Sequence, residues 1–384
     1  MKKSLIALAC GTLGFSVGEF SMMGVLSAIA AGLNVSITKA GALVSIYALG
    51  ICVGLAGAKI LAEKIVSLKK MLIILIGTMC LGNVLAMLSQ SYSFMLLARF
   101  ISGLPHGIFL VAAADAVSKL SPKYRQVQST LLIIYALTAA YLFGVPMATY
   151  LAQVISWRMM FVAVAGWGLF VAYSIYTWLP SNEKINPEIF CIKLKPLKNN
   201  LASLLVGVII LGNAGVFCWY TYINQIMVEV SGFKFYAMAG IMMIAGLAMV
   251  FGKTCSEKLA VKIKPLYLTA IMLTIMLASS LMIVLMAESP YAALILMFVG
   301  VFGFSGIVLP EQKMGEASSE TTDVTQSALY LTTLSIGNAV GATIGALPMA
   351  MGHSVEFAAL PAVIILSSAL GILYYIYKTA PNLR

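Results

Sequence analysis

The chain has 384 residues, 61% of them apolar and only 10% charged, with a mean hydropathy of +1.00. Soluble domains run about 45–50% apolar and about 25% charged because their surface must face water, so this composition excludes an ordinary soluble globular protein. The net charge of +11, from 24 Lys and Arg against 13 Asp and Glu, suits either nucleic acid or a membrane face, and the placement of the cations decides between them.

A helix needs about 20 mostly apolar residues to cross about 30 Å of hydrocarbon. Runs of that length, parted by short polar breaks, fall at 4–32, 40–62, 71–89, 94–117, 127–152, 157–179, 201–229, 236–255, 265–287, 291–311, 322–350 and 355–377. These twelve spans are predicted as helices, because a lone strand leaves its backbone unpaired in lipid. The first run follows Lys2 and Lys3 and ends in Ala28-Ile29-Ala30, which resembles a signal-peptide cleavage site. A cleavable apolar core is only about 7–15 residues long, so the run is read as a retained span. The six cysteines (Cys10, Cys52, Cys80, Cys191, Cys218 and Cys255) form no CxxC pair, which predicts neither a disulfide framework nor a metal site.

An even number of spans puts both termini on one side. Of the 24 cations, 20 fall at the termini and in the even-numbered breaks. They include Lys59, Lys64, Lys69 and Lys70 after span two, Lys123 and Arg125 after span four, and Lys184, Lys193, Lys195 and Lys198 after span six. Lys39, Arg158 and Lys234 lie opposite, and Arg99 lies within span four. This bias predicts cytoplasmic termini and a cell (inner) membrane location. A charge spread over every loop on one face also disfavours nucleic acid, which calls for one basic patch.

The longest break, Pro180 to Asn200, carries Pro187, Pro196 and four lysines and is read as a cytoplasmic linker between an N-terminal bundle, 1–179, and a C-terminal bundle, 201–384. The halves look like copies. Gly57 and Glu63 after span two match Gly252 and Glu257 after span eight at offsets of 195 and 194 residues, and Gly11-Thr-Leu-Gly14 in span one matches Gly212-Asn-Ala-Gly215 in span seven. Internal repeats of this kind are a signature of secondary transporters.

Four stretches carry a family resemblance. They are Gly57 to Lys70; Arg99-Phe-Ile-Ser-Gly103-Leu-Pro-His106-Gly107; Gly144-Val-Pro146 through Gln153 with Trp157-Arg158 behind it; and Gly212-Asn213 through Trp219. In this order the chain resembles the major facilitator superfamily, within its drug/proton antiporter group, and most closely the arabinose and sugar-efflux branch. It departs from the family pattern in Glu63 where Asp is usual, in Lys69-Lys70 for an Arg-rich pair, and in the Val between Gly144 and Pro146. The resemblance implies an all-α integral membrane protein of two pseudo-symmetric six-helix bundles. It would export a small solute (sugar-like, metabolite or drug-like) against protons by alternating access, as a monomer without cofactor or metal. An importer or uncoupled facilitator on the same fold is the alternative. An intramembrane enzyme or sensor is a distant one, since no nucleophile and base stand at matching depth.

A charge inside a span costs about 2.5–3.5 kcal/mol or more, which makes it a functional candidate. Glu19, Arg99 and Asp115 stand out. Asp115 lies beside Lys119 and is read as a structural pair. Glu19 and His106 lie 13 and 12 residues from the outer ends of spans one and four, depths of about 20 and 18 Å at 1.5 Å per residue. The superfamily fold lines one cavity with both spans, so the two are expected to meet near the midplane, with Arg99 two turns from His106. Burial disfavours a charged carboxylate and a nearby cation favours it. Glu19, with Arg99 and His106, is therefore the predicted proton-coupling set. A fixed Glu19–Arg99 bridge and a His106 bonded to a carbonyl freed by Pro105 remain the structural alternatives.

Span seven is richest in polar groups, and Asn213, Trp219, Tyr220 and Asn224 are expected to contact solute, joined by Asn338 among Gly337, Gly341 and Gly345 of span eleven. Amides bond hydroxyls and rings stack on Trp, while an interfacial aromatic belt is the competing reading for Trp219 to Tyr222. Gly57, Glu63, Lys69 and Lys70 are read as a gating loop whose cations also meet anionic lipid. Gly103, Gly144 and Pro146 are read as motif positions for close approach and bending.

Overall fold

The computed structural model describes residues 2–121, 126–190, 200–318 and 323–380. Lys123, Arg125, Cys191, Lys193, Lys195, Pro196, Lys198 and Arg384 lie outside the described residues. Among those described, the chain is helical. The elements are α1 (Lys2–Gly32), α2 (Ile37–Lys64), α3 (Leu68–Leu88), α4 (Tyr92–Leu120), α5 (Gln126–Ala139), α6 (Val145–Val154), α7 (Arg158–Trp178), α8 (Asn200–Tyr220), α9 (Ile223–Gln225), α10 (Met238–Leu259), α11 (Pro265–Met286), α12 (Pro290–Gly306), α13 (Val308–Ser318), α14 (Asp323–Ile344), α15 (Leu347–Ala350) and α16 (Ala359–Thr379).

The boundaries follow local chemistry. The Ser67 hydroxyl accepts from Lys70 N at the start of α3 and the Ser91 hydroxyl from Phe94 N at the start of α4, each taking up a donor that the first turn leaves unpaired. Pro265 and Pro290 open α11 and α12, where a missing N–H costs nothing. Between α5 and α6 lies a π turn, Ala140–Gly144, in which Val145 N donates to Ala140 O. Pro146 has no N–H to continue the ladder, and the wider turn accommodates that loss.

Eleven helical stretches among the described residues are long and apolar enough to cross a membrane, with α5–α6 and α12–α13 each counted as one. They match eleven of the predicted spans. The remaining run, 322–350, contains α14 and α15, along which Thr332, Thr333, Ser335, Asn338 and Thr343 are spaced. Large apolar side chains stand outward, among them Leu81, Phe143, Leu169, Ile295 and Ile364. Such a surface is stable against hydrocarbon and not against water.

Two compact units emerge. The first comprises Met1–Met22, Ile46–Ile192 and Thr322–Thr332, and the second Met23–Ser45, Lys193–Thr321 and Thr333–Arg384. In the first, α3 packs on α4 and α7; in the second, α8 packs on α16 and α12 on α10 and α11. Each unit contains the same close crossing. Gly54 of α2 lies on the Leu104 carbonyl of α4, and Gly252 of α10 lies on the Phe302 carbonyl of α12, so that a Cβ at either glycine would overlap the oxygen. Both partners repeat at an offset of 198 residues. This corrects the pairing of Gly252 with Gly57, which faces open space. The Glu-Lys pairs near the ends of α2 and α10 repeat at an offset of 194, so matching through them slips the helices by four residues, about one turn.

Arg158, at the start of α7, finishes α3. Its Nε donates to Met87 O at 3.1 Å and its NH2 to Ser89 O at 2.9 Å, while the guanidinium lies 4.0 Å from the Trp157 ring. Arg158→Ala is expected to cost about 1–3 kcal/mol by leaving both carbonyls without their charged donor, read as a fall of several degrees in the melting temperature of the detergent-solubilised protein. Arg158→Lys recovers only part of this, because an ammonium lacks the planar fork that reaches both oxygens.

Candidate functional site

Three helices of the first unit bring together one acid, one imidazole, one phenol and one guanidinium. On α1, Phe15, Gly18 and Glu19 fall within little more than one turn. On α4, Arg99 and His106 are seven residues apart and so share a face. Pro105 leaves the Ile101 carbonyl without its helical donor just where the imidazole projects. His106 Nδ1 lies 3.1 Å from the Tyr47 hydroxyl of α2 and 3.6 Å from Glu19 Oε2. The imidazole stacks on Phe15 at 5.1 Å and 12°, and Phe15 in turn abuts Phe109.

Arg99 is only 1% exposed. Its guanidinium lies 4.2 Å from the Tyr47 ring centre and NH1 donates to Gly18 O at 3.1 Å. A cation over a desolvated ring gains about 2 kcal/mol, and with the carbonyl bond this offsets much of the cost of a buried charge. Tyr47 thus stands between the two helices, its hydroxyl on His106 and its ring under Arg99, with Glu19 on the same imidazole nitrogen. Glu19 and His106 meet as expected. The carbonyl alternative for His106 gives way to Tyr47 and Glu19 as its Nδ1 neighbours. Asp115 accepts from Lys119 Nζ at 2.6 Å, the structural pair anticipated for it.

The residues expected to contact solute are all buried, and Asn213, Trp219 and Asn224 bond other groups of the protein. Asn213 is buried and its Nδ2 donates to Ile209 O at 2.9 Å. Trp219 Nε1 donates to Ser280 Oγ at 3.1 Å, with Tyr220 edge-on against its ring at 5.9 Å. Asn224 Nδ2 donates to Gly24 O at 2.7 Å, and its Oδ1 accepts from Ser27 Oγ at 2.5 Å. Trp219, Tyr220 and Tyr222 are fully enclosed by protein, which removes the interfacial-belt reading. Asn338 is buried, and Gly337, Gly341 and Gly345 around it seat α14 directly on the α8 backbone.

The motif positions divide. Gly103 lies against the Tyr47 carbonyl, and Gly144 against Val17 beside an apolar groove of about 330 Å³ lined by Leu13, Phe143, Met147 and Trp167. Pro146 is buried behind the π turn. Around the α2–α3 connection, Glu63 stands 4.0 Å from Lys59, which bonds Glu188 more closely at 2.9 Å. Lys69 Nζ lies 3.4 Å from Ser181 Oγ, and Lys70 is exposed. The loop thus engages residues 181–188.

Two residues escaped the sequence reading. Tyr47 is the hinge of the cluster, yet a tyrosine in an apolar helix reads as ordinary core; its position three before Gly50 and seven before Gly54, both pressed on α4, was the available signal. In the sequence, Glu311 closes the apolar run 291–311. The span continues to Gly315, so Glu311 sits 1% exposed in the first turn of α13, where a Cβ on Gly212 would stand 3.3 Å from its Oε1.

Comparison with known proteins extends over the whole chain. The profile of the Major Facilitator Superfamily matches residues 8–342. The chain is 32% identical over 380 residues to AraJ of Escherichia coli (strain K12), covering 98% of this chain and 96% of that protein. It is 30% identical to the inner membrane transport protein YdhP of the same strain, over 98% and 97%. A protein named as a probable sugar efflux transporter in Helicobacter pylori is 23% identical over 87% and 85%. Among solved structures, a D-xylose–proton symporter superposes with a TM-score of 0.77 at 14% identity, covering 97% of each chain. A bacterial homologue of the human lysosomal transporter Spinster gives 0.76 at 14% identity, over 99% and 97%; at such identity these two show the fold alone.

Proposed function

The chain belongs to the major facilitator superfamily and is a multi-pass membrane transporter, and on that premise we propose that it exports a small sugar-like, metabolite or drug-like solute in exchange for protons. The observation that carries this reading is the buried grouping of Glu19, His106, Tyr47 and Arg99. Burial favours the neutral form of such a carboxylate and a nearby guanidinium its charged form, so the two effects oppose each other at Glu19. A proton taken up by Glu19 releases the carboxylate from its electrostatic hold on the cluster, and loss of the proton restores it. Alternating access exposes Glu19 to the two faces of the membrane in turn, which converts that local exchange into net proton movement.

Export of a sugar-like solute is supported by the relatives named for sugar efflux and by the Gly144–Pro146 bend. The reading further places both termini in the cytoplasm, takes 1–179 and 201–384 as two bundles joined by 180–200, and takes the protein as a monomer. The 198-residue offset of the Gly54 and Gly252 crossings supports the two-bundle reading.

The test is gradient-driven transport. Purified protein in liposomes should accumulate labelled sugars only when a pH difference is imposed, and reversing the difference should reverse the direction of net movement. Solute flux without proton movement would identify a facilitator instead, and proton and solute moving the same way would identify a symporter.

A further inference from the structure

Where α2 passes into α3, a cavity of about 550 Å³ opens at the end of the first unit, its polar wall formed by Lys64, Ser67, Lys70, Ser181, Glu183 and Lys184. Its frame is fixed by backbone bonds. Leu68 N donates to Glu183 O at 3.1 Å and Ile185 N to Val66 O at 3.0 Å, joining Ser67 and Lys184 in an isolated antiparallel bridge. Lys119 Nζ donates to Lys184 O at 2.8 Å and clamps the same strand of chain to α4.

The three lysines of the cavity differ from their neighbours. Lys59 is bonded to Glu188, Lys119 to Asp115, and Lys69 lies near Ser181 and over the Tyr176 ring. Among the described residues no carboxylate comes within 4.0 Å of the Lys64, Lys70 or Lys184 ammonium. Three cations facing one glutamate leave an excess of positive charge, to which the N-terminal end of the 21-residue α3 adds its dipole. An anion with several acceptor oxygens satisfies such a set best.

The cavity also has an apolar exit. Ile74 lies in its wall and begins a stripe of Ile74, Leu81 and Leu88 on α3, which are 45%, 54% and 58% exposed. Seven-residue spacing keeps them on one face, and the stripe is about 21 Å long, enough to accompany an acyl chain through one leaflet of a ~30 Å core. We propose that this cavity binds the phosphate-bearing headgroup of an anionic phospholipid, with an acyl chain laid along the α3 stripe.

The test measures phosphatidylglycerol bound to the full-length protein in neutral detergent, by native mass spectrometry and by the rise in melting temperature. Phosphatidylcholine, inorganic phosphate and the Lys64→Gln/Lys70→Gln/Lys184→Gln variant provide the comparisons. One phosphatidylglycerol is expected to remain per chain under conditions that strip phosphatidylcholine, and the triple variant is expected to bind it about 100-fold more weakly. The charge-matched Lys258→Gln/Lys262→Gln/Lys264→Gln variant should bind as the wild type does. Binding by the first triple variant within twofold of wild type, or equal retention of the two lipids, overturns the proposal. Inorganic phosphate that raises the melting temperature and displaces the lipid would assign the lysines to a soluble phosphate and overturn the acyl-chain assignment.

Discussion

Glu19→Gln is expected to abolish solute accumulation while leaving the protein folded. A pH difference of one unit supplies about 1.4 kcal/mol per proton, which supports about a tenfold concentration ratio for one-to-one exchange in the wild type. The glutamine keeps the shape and the hydrogen-bonding reach of the glutamate, whose side chain is only 12% exposed, so the packing of Phe15, Tyr47 and His106 has no reason to change. It cannot give up a proton, and the ratio should fall to about one. Solute exchange between equal pH values, which needs no net proton movement, should survive. A variant that still concentrates solute tenfold would remove Glu19 from the coupling step and shift attention to Glu311, which like Asp115 is a carboxylate buried within a span.

The second large effect is on stability. At Gly54 a Cβ would fall on the Leu104 carbonyl oxygen, and backbone cannot yield as a side chain does. Gly54→Ala must therefore push α2 from α4, at a cost of about 3 kcal/mol and a fall of roughly 5–10 °C in melting temperature. The same displacement would move Tyr47, two turns away on α2, off Arg99 and His106, so transport should fall along with stability. Gly252→Ala, pressed on Phe302 in the second unit, should destabilise by a similar amount. Gly57→Ala, which meets nothing within 4 Å, should stay within about 0.5 kcal/mol of wild type. A Gly54→Ala protein that melts with the wild type would show that the crossing is looser than this contact implies.

Most of the architecture was legible because a bilayer imposes a length and an apolarity that are read directly along a chain. Glu19 and His106 were legible for the same reason, since depth in a span follows from counting residues. The surroundings of the residues expected to contact solute were less legible: Asn224 in α9 bonds Gly24 and Ser27, some 200 residues away, and no periodicity along its own segment announces that. Glu311 was hidden by a boundary, because the polar run Glu311-Gln312-Lys313 closes the apolar stretch in the sequence while the helix continues past it. Gly54 was passed over in favour of Gly57 because a loop motif is easier to align than a helix face.

The π turn at Ala140–Gly144 decides how span five can be exchanged with that of another protein. It holds one residue more than α geometry allows, which offsets α6 by about 100° from a continuous α5. A donor segment without the turn would deliver α6 rotated by that angle, carrying the now buried Ala148 toward lipid and the now exposed Tyr150 inward. Chimaeras should therefore be joined outside 139–145, so that both parts of the helix still face the solvent each was built for.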